Sequence, residues 1–322
     1  MLPGRRLLLI SVLVLLSACG RETVPPQVAA DSSPQSASSG APGLVTIRAV
    51  GMSFQGPETI PAGWTTFRFE NTSAMVHFAM IDRPPAQVDL QTFDEQLMAP
   101  FQLAMDAMNA NDEAAVNAAY ATFPAWVGDL ERHGGPGLLS AGLVGQTTVF
   151  LAPGRYVLEC YVKTDGVFHT TSPGNGQLGM VLEFTVTSED NGALEPRANA
   201  RFTLSNSGIT LEEGALRAGS NTIRVDFAEQ QALPSFVGND IHLLQLSGPR
   251  DLQAAAEWMD WRTPDGLQSP SPVRFLGGIQ DMAAGRHGYF SVDLEPGDYA
   301  LMAEVPEPLG MGLVLPVSVS GP

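Results

Sequence analysis

The sequence is short of cysteine and of positive charge. Its 322 residues include only 2 Cys and 17 Lys or Arg against 34 Asp or Glu, which gives a formal net charge of −17. Nucleic acid and anionic lipid would both be repelled by such a chain unless it carried a basic patch. We therefore expect neither nucleic acid nor direct adhesion to anionic lipid among its partners.

The sequence also lacks a hydrophobic run long enough to remain in a membrane. Arg5 and Arg6 precede an apolar run, Leu7 to Leu16, which is too short to span a bilayer as a permanent helix. The run therefore predicts an export signal over residues 1–19 rather than a membrane anchor.

The signal ends in the residues Leu16-Ser17-Ala18-Cys19-Gly20, which resemble the bacterial lipobox. The resemblance implies that Cys19 is lipidated and becomes the first residue of the exported chain. The protein would then be anchored to the cell envelope, in the periplasm or on the outer surface, with the lipid as its contact to the membrane. An ordinary secretory signal with an incidental cysteine is the alternative.

The remaining chain shows the pattern of two all-β units joined by turn-rich segments. Short runs with β-branched and aromatic alternation, separated by Pro-Gly and Ala-Gly turns, are typical of β-sandwiches. The predicted organisation is a signal peptide (1–19), a disordered linker (20–43), a first sandwich (44–188) with a helical insertion (88–126), a second linker (189–201) and a second sandwich (202–322).

The two units have the same order of matching segments. Ile60 to Arg68 parallels Leu216 to Arg224, and Leu151 to Leu158 parallels Leu294 to Leu301. Between these segments lies one histidine in each unit, His77 in the first and His242 in the second. Matched segments in matched order predict one fold used twice.

The insertion of the first unit is rich in Ala and Met. Leu97, Phe101, Met105 and Met108 are spaced by three and four residues, which predicts one or two helices. Helical spacing favours packing of these methionines and of Met98 against the sandwich over a role in binding copper. A shorter insertion is expected in the second unit, from Asp251 to Trp261.

Cys160 has no intramolecular partner once Cys19 carries a lipid. It lies in a segment that predicts a β-hairpin, Tyr156 to His169, with a turn at Thr164-Asp165 or at Asp165-Gly166. The first turn places Cys160 opposite His169, and the second places it opposite Thr171 with His169 one diagonal step away. Both registers put the thiol and the imidazole on one face of the sheet, about 5 Å apart at Cβ when directly opposed.

Residues Leu44 to Ser188 resemble the cupredoxins, Greek-key β-sandwiches that hold one copper ion. The family uses an early histidine and then a cysteine, a histidine and a methionine before the last strand, and the matching residues here are His77, Cys160, His169 and Met180. The resemblance implies a mononuclear copper site for electron transfer or copper handling, since thiolate, imidazole and thioether suit both oxidation states of copper. The eight residues between Cys160 and His169, and the ten before Met180, exceed the family's usual spacing.

The second unit serves as an internal control. It has Ala303 at the position of Cys160 and no histidine between Ala303 and its last strand, so it cannot hold such a site. Because it nevertheless keeps His242, that histidine is expected to bond a loop carbonyl, and His77 could have a structural role as well. His133 is expected to be a solvated residue of a flexible glycine-rich loop.

The alternative to a copper protein is a metal-free β-sandwich that binds an envelope protein or serves a structural role, with Cys160 as a small buried residue. A copper protein would instead be expected to have a redox partner in the envelope. The sequence has no motif of a serine hydrolase or a zinc protease and no His-X-His pair of the multicopper oxidases. We therefore expect that the protein is not an enzyme.

Overall fold

A computed structural model of the chain describes residues 43–174, 176–230 and 238–321. The expected signal peptide, Cys19 and all but the last residue of the first linker lie outside these described residues. Within the described part, no helix is long and apolar enough to cross a membrane. The described residues form one compact unit.

The first half of the described chain contains ten strands. They are β1 (Leu44–Val50), β2 (Ser53–Gln55), β3 (Thr59–Asn71), β4 (Met80–Arg83), β5 (Glu131–Arg132), β6 (Val144–Leu151), β7 (Gly154–Glu159), β8 (Lys163–Thr164), β9 (Val167–Phe168) and β10 (Val181–Asp190).

These strands form a sandwich with Greek-key connections. In one layer β1 is parallel to β3 and β3 is antiparallel to β6. In the other layer β7 lies between β10 and β4, antiparallel to both, and β5 pairs with β4. The first residues of β3 also pair with β10 and so join the layers. Alternate β3 residues such as Phe67 and Phe69 are buried, as expected of a strand with one face on a core.

A helical insertion separates β4 from β5. It consists of α1 (Leu90–Phe93), a five-residue π-helical segment (Asp94–Met98), α2 (Ala99–Asn109), α3 (Glu113–Tyr120) and a 3-10 turn (Ala125–Asp129). Asp89 caps α1 by accepting a hydrogen bond from Thr92 N–H at 2.8 Å.

The methionines of the insertion pack as the sequence predicts. Met98 and Met105 are buried, and Met108 packs against the hydrophobic core. Leu97 is buried as well, together with residues of β7 and of the 3-10 turn. The helical spacing therefore predicts the packing of these methionines correctly.

The second half of the described chain contains eight strands and one helix. They are β11 (Ala200–Ser205), β12 (Gly208–Gly214), β13 (Gly219–Phe227), β14 (Ile241–Leu246), α4 (Asp251–Met259), β15 (Arg274–Ile279), β16 (His287–Leu294), β17 (Gly297–Met302) and β18 (Val314–Val319).

The second set of strands repeats the connections of the first. Strand β11 is parallel to β13, β13 is antiparallel to β16, and β17 lies antiparallel between β14 and β18. Strand β15 pairs with β14 as β5 pairs with β4. The predicted fold class, β-sandwiches of Greek-key topology with a helical insertion in the first, is confirmed, whereas the domain boundaries stay a prediction.

The two sandwiches join through equivalent strands. Strand β6 pairs with β16, and the central pair is Thr147 with Phe290. Thr147 lies four residues before Leu151, which pairs with Gly63 of β3. Phe290 likewise lies four residues before Leu294, which pairs with Gly219 of β13. Thr147 and Phe290 are therefore equivalent positions that pair with each other, as at the axis of a twofold interface.

A second contact runs along the loop that precedes β6. Leu139 bridges to His77 within the first sandwich and to Leu276 of the second. The close approach needs glycine, because a Cβ at Gly137 would lie 2.7 Å from the carbonyl carbon of Gly278. The glycine-rich loop is thus part of the contact between the sandwiches.

Candidate metal centre

Three of the four predicted ligands meet at one point inside the first sandwich. The Cys160 Sγ atom lies 3.5 Å from His77 Nδ1 and 3.9 Å from His169 Nδ1, and the two nitrogens are 3.3 Å apart. All three side chains are at most 1% exposed. The same nitrogen, Nδ1, faces the shared point in both imidazoles.

Different elements bring these residues together. His77 lies between β3 and β4, where its backbone pairs with Leu139, and Cys160 directly follows β7. His169 directly follows β9, whose hairpin with β8 pairs Thr164 with Val167. The hairpin therefore turns at Asp165-Gly166, the second of the two predicted turns. The pairing of Cys160 with Thr171 predicted for that register is not observed, because Cys160 N–H donates to Met180 O instead.

The turn itself follows from its residues. Asp165 has φ of 52° and Gly166 has φ of 77°. Positive φ at both central residues is typical of a type I′ hairpin turn, for which Asp-Gly is a favoured sequence. The hairpin compensates for the long sequence separation of Cys160 and His169, because it loops out the residues between them.

The spacing of the three atoms is compatible with one metal ion held between them. Metal bonds of about 2.0–2.3 Å to nitrogen and sulfur, at tetrahedral to trigonal angles, need donors about 3.3–3.8 Å apart. Two of the observed separations, 3.3 and 3.5 Å, lie within this range, and the third, 3.9 Å between Cys160 Sγ and His169 Nδ1, lies just above it. Good hydrogen bonds between nitrogens would be shorter, at about 3 Å.

Burial sets the protonation states of the three groups. It lowers the pKa of His77 to about 4, an effect that the backbone of Gly51 partly opposes. Burial, with a smaller contribution from His77, lowers the pKa of His169 to about 3. At neutral pH both imidazoles are therefore neutral, which is the form that binds metal.

The cysteine is held as a thiol in the metal-free protein. Burial raises the pKa of Cys160 to about 12, while the backbone N–H groups of Phe78 and Val162 act in the opposite direction by hydrogen bonding to the sulfur. These two donors are already in place to stabilise a thiolate. A metal ion would thus have one proton to displace, that of the thiol.

His169 is oriented from its far side. Its Nε2 atom lies 3.0 Å from Thr164 Oγ1, a residue of the same hairpin. This hydrogen bond at Nε2 orients the ring so that Nδ1 faces the shared point. Metal-binding histidines are commonly oriented in this way, by a hydrogen bond on the nitrogen that does not bind the metal.

Met180 also belongs to this group of residues. Its N–H donates to His169 O at 2.7 Å, and its carbonyl accepts from Cys160 N–H at 3.2 Å. Because β7 and β10 are antiparallel, Met180 is the residue opposite Cys160, and opposed side chains share a face of the sheet. The backbone thus brings Met180 beside two of the predicted ligands despite the ten intervening residues.

A second group of candidate ligand atoms consists of Asp240, His242 and Glu304, all buried. His242 Nδ1 accepts a hydrogen bond from Leu138 N–H at 3.0 Å, so its proton is on Nε2, which donates to Asp240 Oδ2 at 2.7 Å. Both ring nitrogens are thereby used, and metal binding would require an imidazolate. His242 is structural, although it accepts from a loop N–H rather than bonding a loop carbonyl.

The prediction for His133 is wrong. Its side chain is buried: the Arg286 guanidinium donates to Nδ1 at 2.9 Å, and Glu131 Oε2 lies 3.2 Å from Nε2. Burial, with the nearby Arg286, lowers the pKa of His133 to about 4. The glycines around it indicated a flexible loop, but they allow this loop to pack between the sandwiches.

A buried polar network on the opposite face of β7 was not predicted. Glu159 precedes Cys160 and points to that face, beside Asp82 and Arg132. Burial raises the pKa of Glu159 well above its usual range, and the carboxyl of Asp82 adds to the effect. A cavity of about 40 Å³ lies next to Glu159 and Tyr161 under the helical insertion, with room for water.

Comparison with known proteins gives distant structural similarity only. No protein-family model matches the chain, and no curated protein matches it. Auracyanin A, a "blue" copper protein from Chloroflexus aurantiacus, is 20% identical and aligns over 46% of this chain and 100% of its own, with a TM-score of 0.26.

Two further solved structures extend the comparison. An azurin from Methylomonas sp. strain J is 10% identical over 39% of this chain and 98% of its own, with a TM-score of 0.30. A multicopper oxidase is 13% identical over 86% of this chain and 88% of its own, with a TM-score of 0.23. The function proposed below therefore rests on the side chains of this chain alone.

Proposed function

We propose that the protein is a lipid-anchored, extracytoplasmic carrier of electrons or of copper, with one copper ion bound in the first sandwich. The observation that supports the proposal is the convergence of Cys160 Sγ with Nδ1 of His77 and of His169 at separations of 3.3–3.9 Å. One thiolate with two imidazoles and a weak thioether is a ligand set that favours copper over harder cations.

The chain's own residues supply the conditions for reversible electron transfer. Cys160, His77 and His169 would hold the ion, and Met180 would be a fourth, weaker ligand. Bound copper would contribute a one-electron couple. The complete burial of the three donors excludes water, and the N–H groups of Phe78 and Val162 are placed to offset thiolate charge.

The proposed location rests on the lipobox-like sequence that ends at Cys19. Lipidation there would tether the sandwiches to the envelope through the Pro- and Ser-rich linker of residues 20–43. We propose that the partner is a redox or copper-transfer protein of the same envelope and that the chain catalyses no reaction of its own.

A titration with copper tests the proposal. Cu(II) added to the soluble fragment 20–322 should give an intense visible absorption from thiolate-to-copper charge transfer at one equivalent. The Cys160→Ser variant should lose the band, whereas His287→Ala, which removes a histidine outside the site, should keep it. A colourless wild-type protein without bound copper would reject the proposal.

The second candidate is a metal-free binding or structural module. Complete burial and a pKa of about 12 are also what an inert core cysteine shows, which is the observation in its favour. In that case Cys160→Ala and His169→Ala would leave function in the cell intact. Deletion of Val88 to Trp126 would abolish function instead.

A further inference from the structure

The hairpin that carries His169 is enclosed by two elements from outside its own sheet. Helix α2 of the insertion contacts it on one side, and residues 261–269 of the second sandwich contact it on the other. Strands β8 and β9 have two residues each and pair only with each other, apart from a bridge from Lys163 to Gln268. Such a short hairpin is marginal alone and needs outside partners.

On the first side, one glutamine of α2 bonds the chain on both sides of His169. Gln102 Oε1 accepts from Phe168 N–H at 2.9 Å and from Thr171 Oγ1 at 2.9 Å. Its Nε2 donates to Asp106 Oδ1 at 2.8 Å and to Gly166 O at 3.3 Å. Gln102 is only 8% exposed, so water cannot readily replace these bonds.

On the other side, the second sandwich continues the hairpin with backbone bonds. Lys163 N–H donates to Leu267 O at 2.9 Å, and Ser269 N–H donates to Lys163 O at 2.8 Å. Gln268 Oε1 accepts from Gly166 N–H at 2.9 Å, at the turn itself.

The same contact contains the only lysine of the sequence, Lys163, whose side chain is fully buried. Its Nζ donates to Thr263 O at 2.7 Å and to Trp261 O at 3.0 Å, in the loop after α4. Backbone carbonyls just beyond the end of a helix are favourable partners for a cation. A charge buried in this way would be costly to leave without them, so Lys163 ties the hairpin to the second sandwich.

Within its described residues, the second sandwich has no counterpart of the Cys160 site. Ala303 stands at the position of Cys160, and both ring nitrogens of His242 are bonded to the Leu138 backbone and to Asp240. It instead contacts the hairpin at Lys163, three residues after Cys160, and at Gly166, three residues before His169.

We propose that the second sandwich and helix α2 form a clamp that holds the His169 hairpin in its metal-binding conformation, with Gln102 and Gln268 as positioning residues. The inference rests on the proposed copper site and adds a role for the second sandwich and the insertion. The clamp fixes the hairpin before metal arrives and slows the release of bound metal, because it bonds the chain on both sides of His169, one of the three donors.

The first test uses the metal-free fragment 20–322 and does not depend on copper. Amide hydrogen exchange, resolved by residue, should be about tenfold faster or more at Phe168 in Gln102→Ala and at Gly166 in Gln268→Ala. Gln268→Glu keeps the oxygen that accepts from Gly166 N–H and should retain protection of that amide. The exposed Gln91→Ala and Gln253→Ala are matched controls and should leave both amides unchanged.

The second test measures metal release. After loading with one equivalent of Cu(II), removal of copper by a chelator should be about tenfold faster in the two Ala variants than in wild type, with a shifted visible band and altered EPR spectrum. Unchanged amide exchange in both Ala variants would overturn the clamp. Faster exchange with no copper bound by any protein would leave the clamp standing and reject the copper site.

Discussion

At the scale of residues, the candidate site depends on groups that burial keeps uncharged. His77 and His169 have pKa values far below 7, and Cys160 has a pKa far above it, so the metal-free site carries no net charge at neutral pH. An uncharged cluster can be buried at low cost in a sandwich core, whereas ionised groups would need partners. The site is therefore compatible with a folded protein before metal is bound.

The same argument gives a pH prediction for Asp281, which faces Arg132 between the sandwiches. Burial raises the pKa of Asp281 from 3.8 to about 6, so the folded state retains a proton that the unfolded chain has released. Its stabilising contribution is complete below about pH 4 and is lost as the pH rises through 6, on the order of 3 kcal/mol in total.

The measurement is the free energy of unfolding of Asp281→Asn and wild type at pH 4 and pH 7.5. The variant does not titrate, so its stability relative to wild type should rise between the two pH values. The exposed Asp293→Asn is the control. An unchanged difference between Asp281→Asn and wild type at both pH values would contradict the assigned shift.

The sequence indicated Cys160 and His169 because the chain has one unpaired cysteine, whereas His77 was implied only by the resemblance to the cupredoxins. A single cysteine and a histidine on the same predicted strand pair leave few possible arrangements of the two side chains. Gln102 and Lys163 could not be found in the same way, because a glutamine on a helix and one lysine in a strand carry no signal of what they contact. Their roles come from packing between segments far apart in the chain.

At the scale of elements, the hairpin β8–β9 determines where His169 lies in the site. The position of its turn was predicted as one of two registers, and Asp165 and Gly166, with φ of 52° and 77°, are the turn residues. The sequence could not settle the register because Thr164 and Asp165 are both acceptable turn residues.

Replacing Gly166 by alanine tests the turn. A residue with a Cβ at positive φ is strained by about 1–2 kcal/mol, so the unfolding free energy of Gly166→Ala should fall by that amount and the hairpin amides should exchange faster. Gly142→Ala is the matched control, since Gly142 has φ of 74° and an added Cβ would meet nothing within 4 Å.

Chemical unfolding and amide exchange distinguish the two glycine variants. Both should lose stability, but only Gly166→Ala should expose the amides of Phe168 and His169. Equal exchange of these amides in both variants would show that the turn does not control the hairpin.

At the scale of the whole molecule, two similar sandwiches share a continuous sheet and one hydrophobic cluster. The repeat was visible in the sequence, but the pairing of β6 with β16 was not, because edge strands carry no mark of their partner. The equivalence of Thr147 and Phe290 gives this contact the symmetry of a homodimer.

This arrangement predicts that neither half is stable alone. Fragments 43–190 and 200–321 would each expose an unpaired edge strand and buried polar groups of the interface. Expressed separately, each should be poorly folded by circular dichroism, and mixing should restore native structure in a 1:1 complex. An isolated first half that is as stable as the whole chain would contradict this prediction.

X-ray absorption spectroscopy of the copper-loaded fragment 20–322 tests the central claim most directly. The first shell of the copper should contain one sulfur from Cys160 and two imidazole nitrogens, and the sulfur should disappear in Cys160→Ser. Copper surrounded only by nitrogen and oxygen in the wild-type protein, or copper lost on desalting, would contradict the assignment.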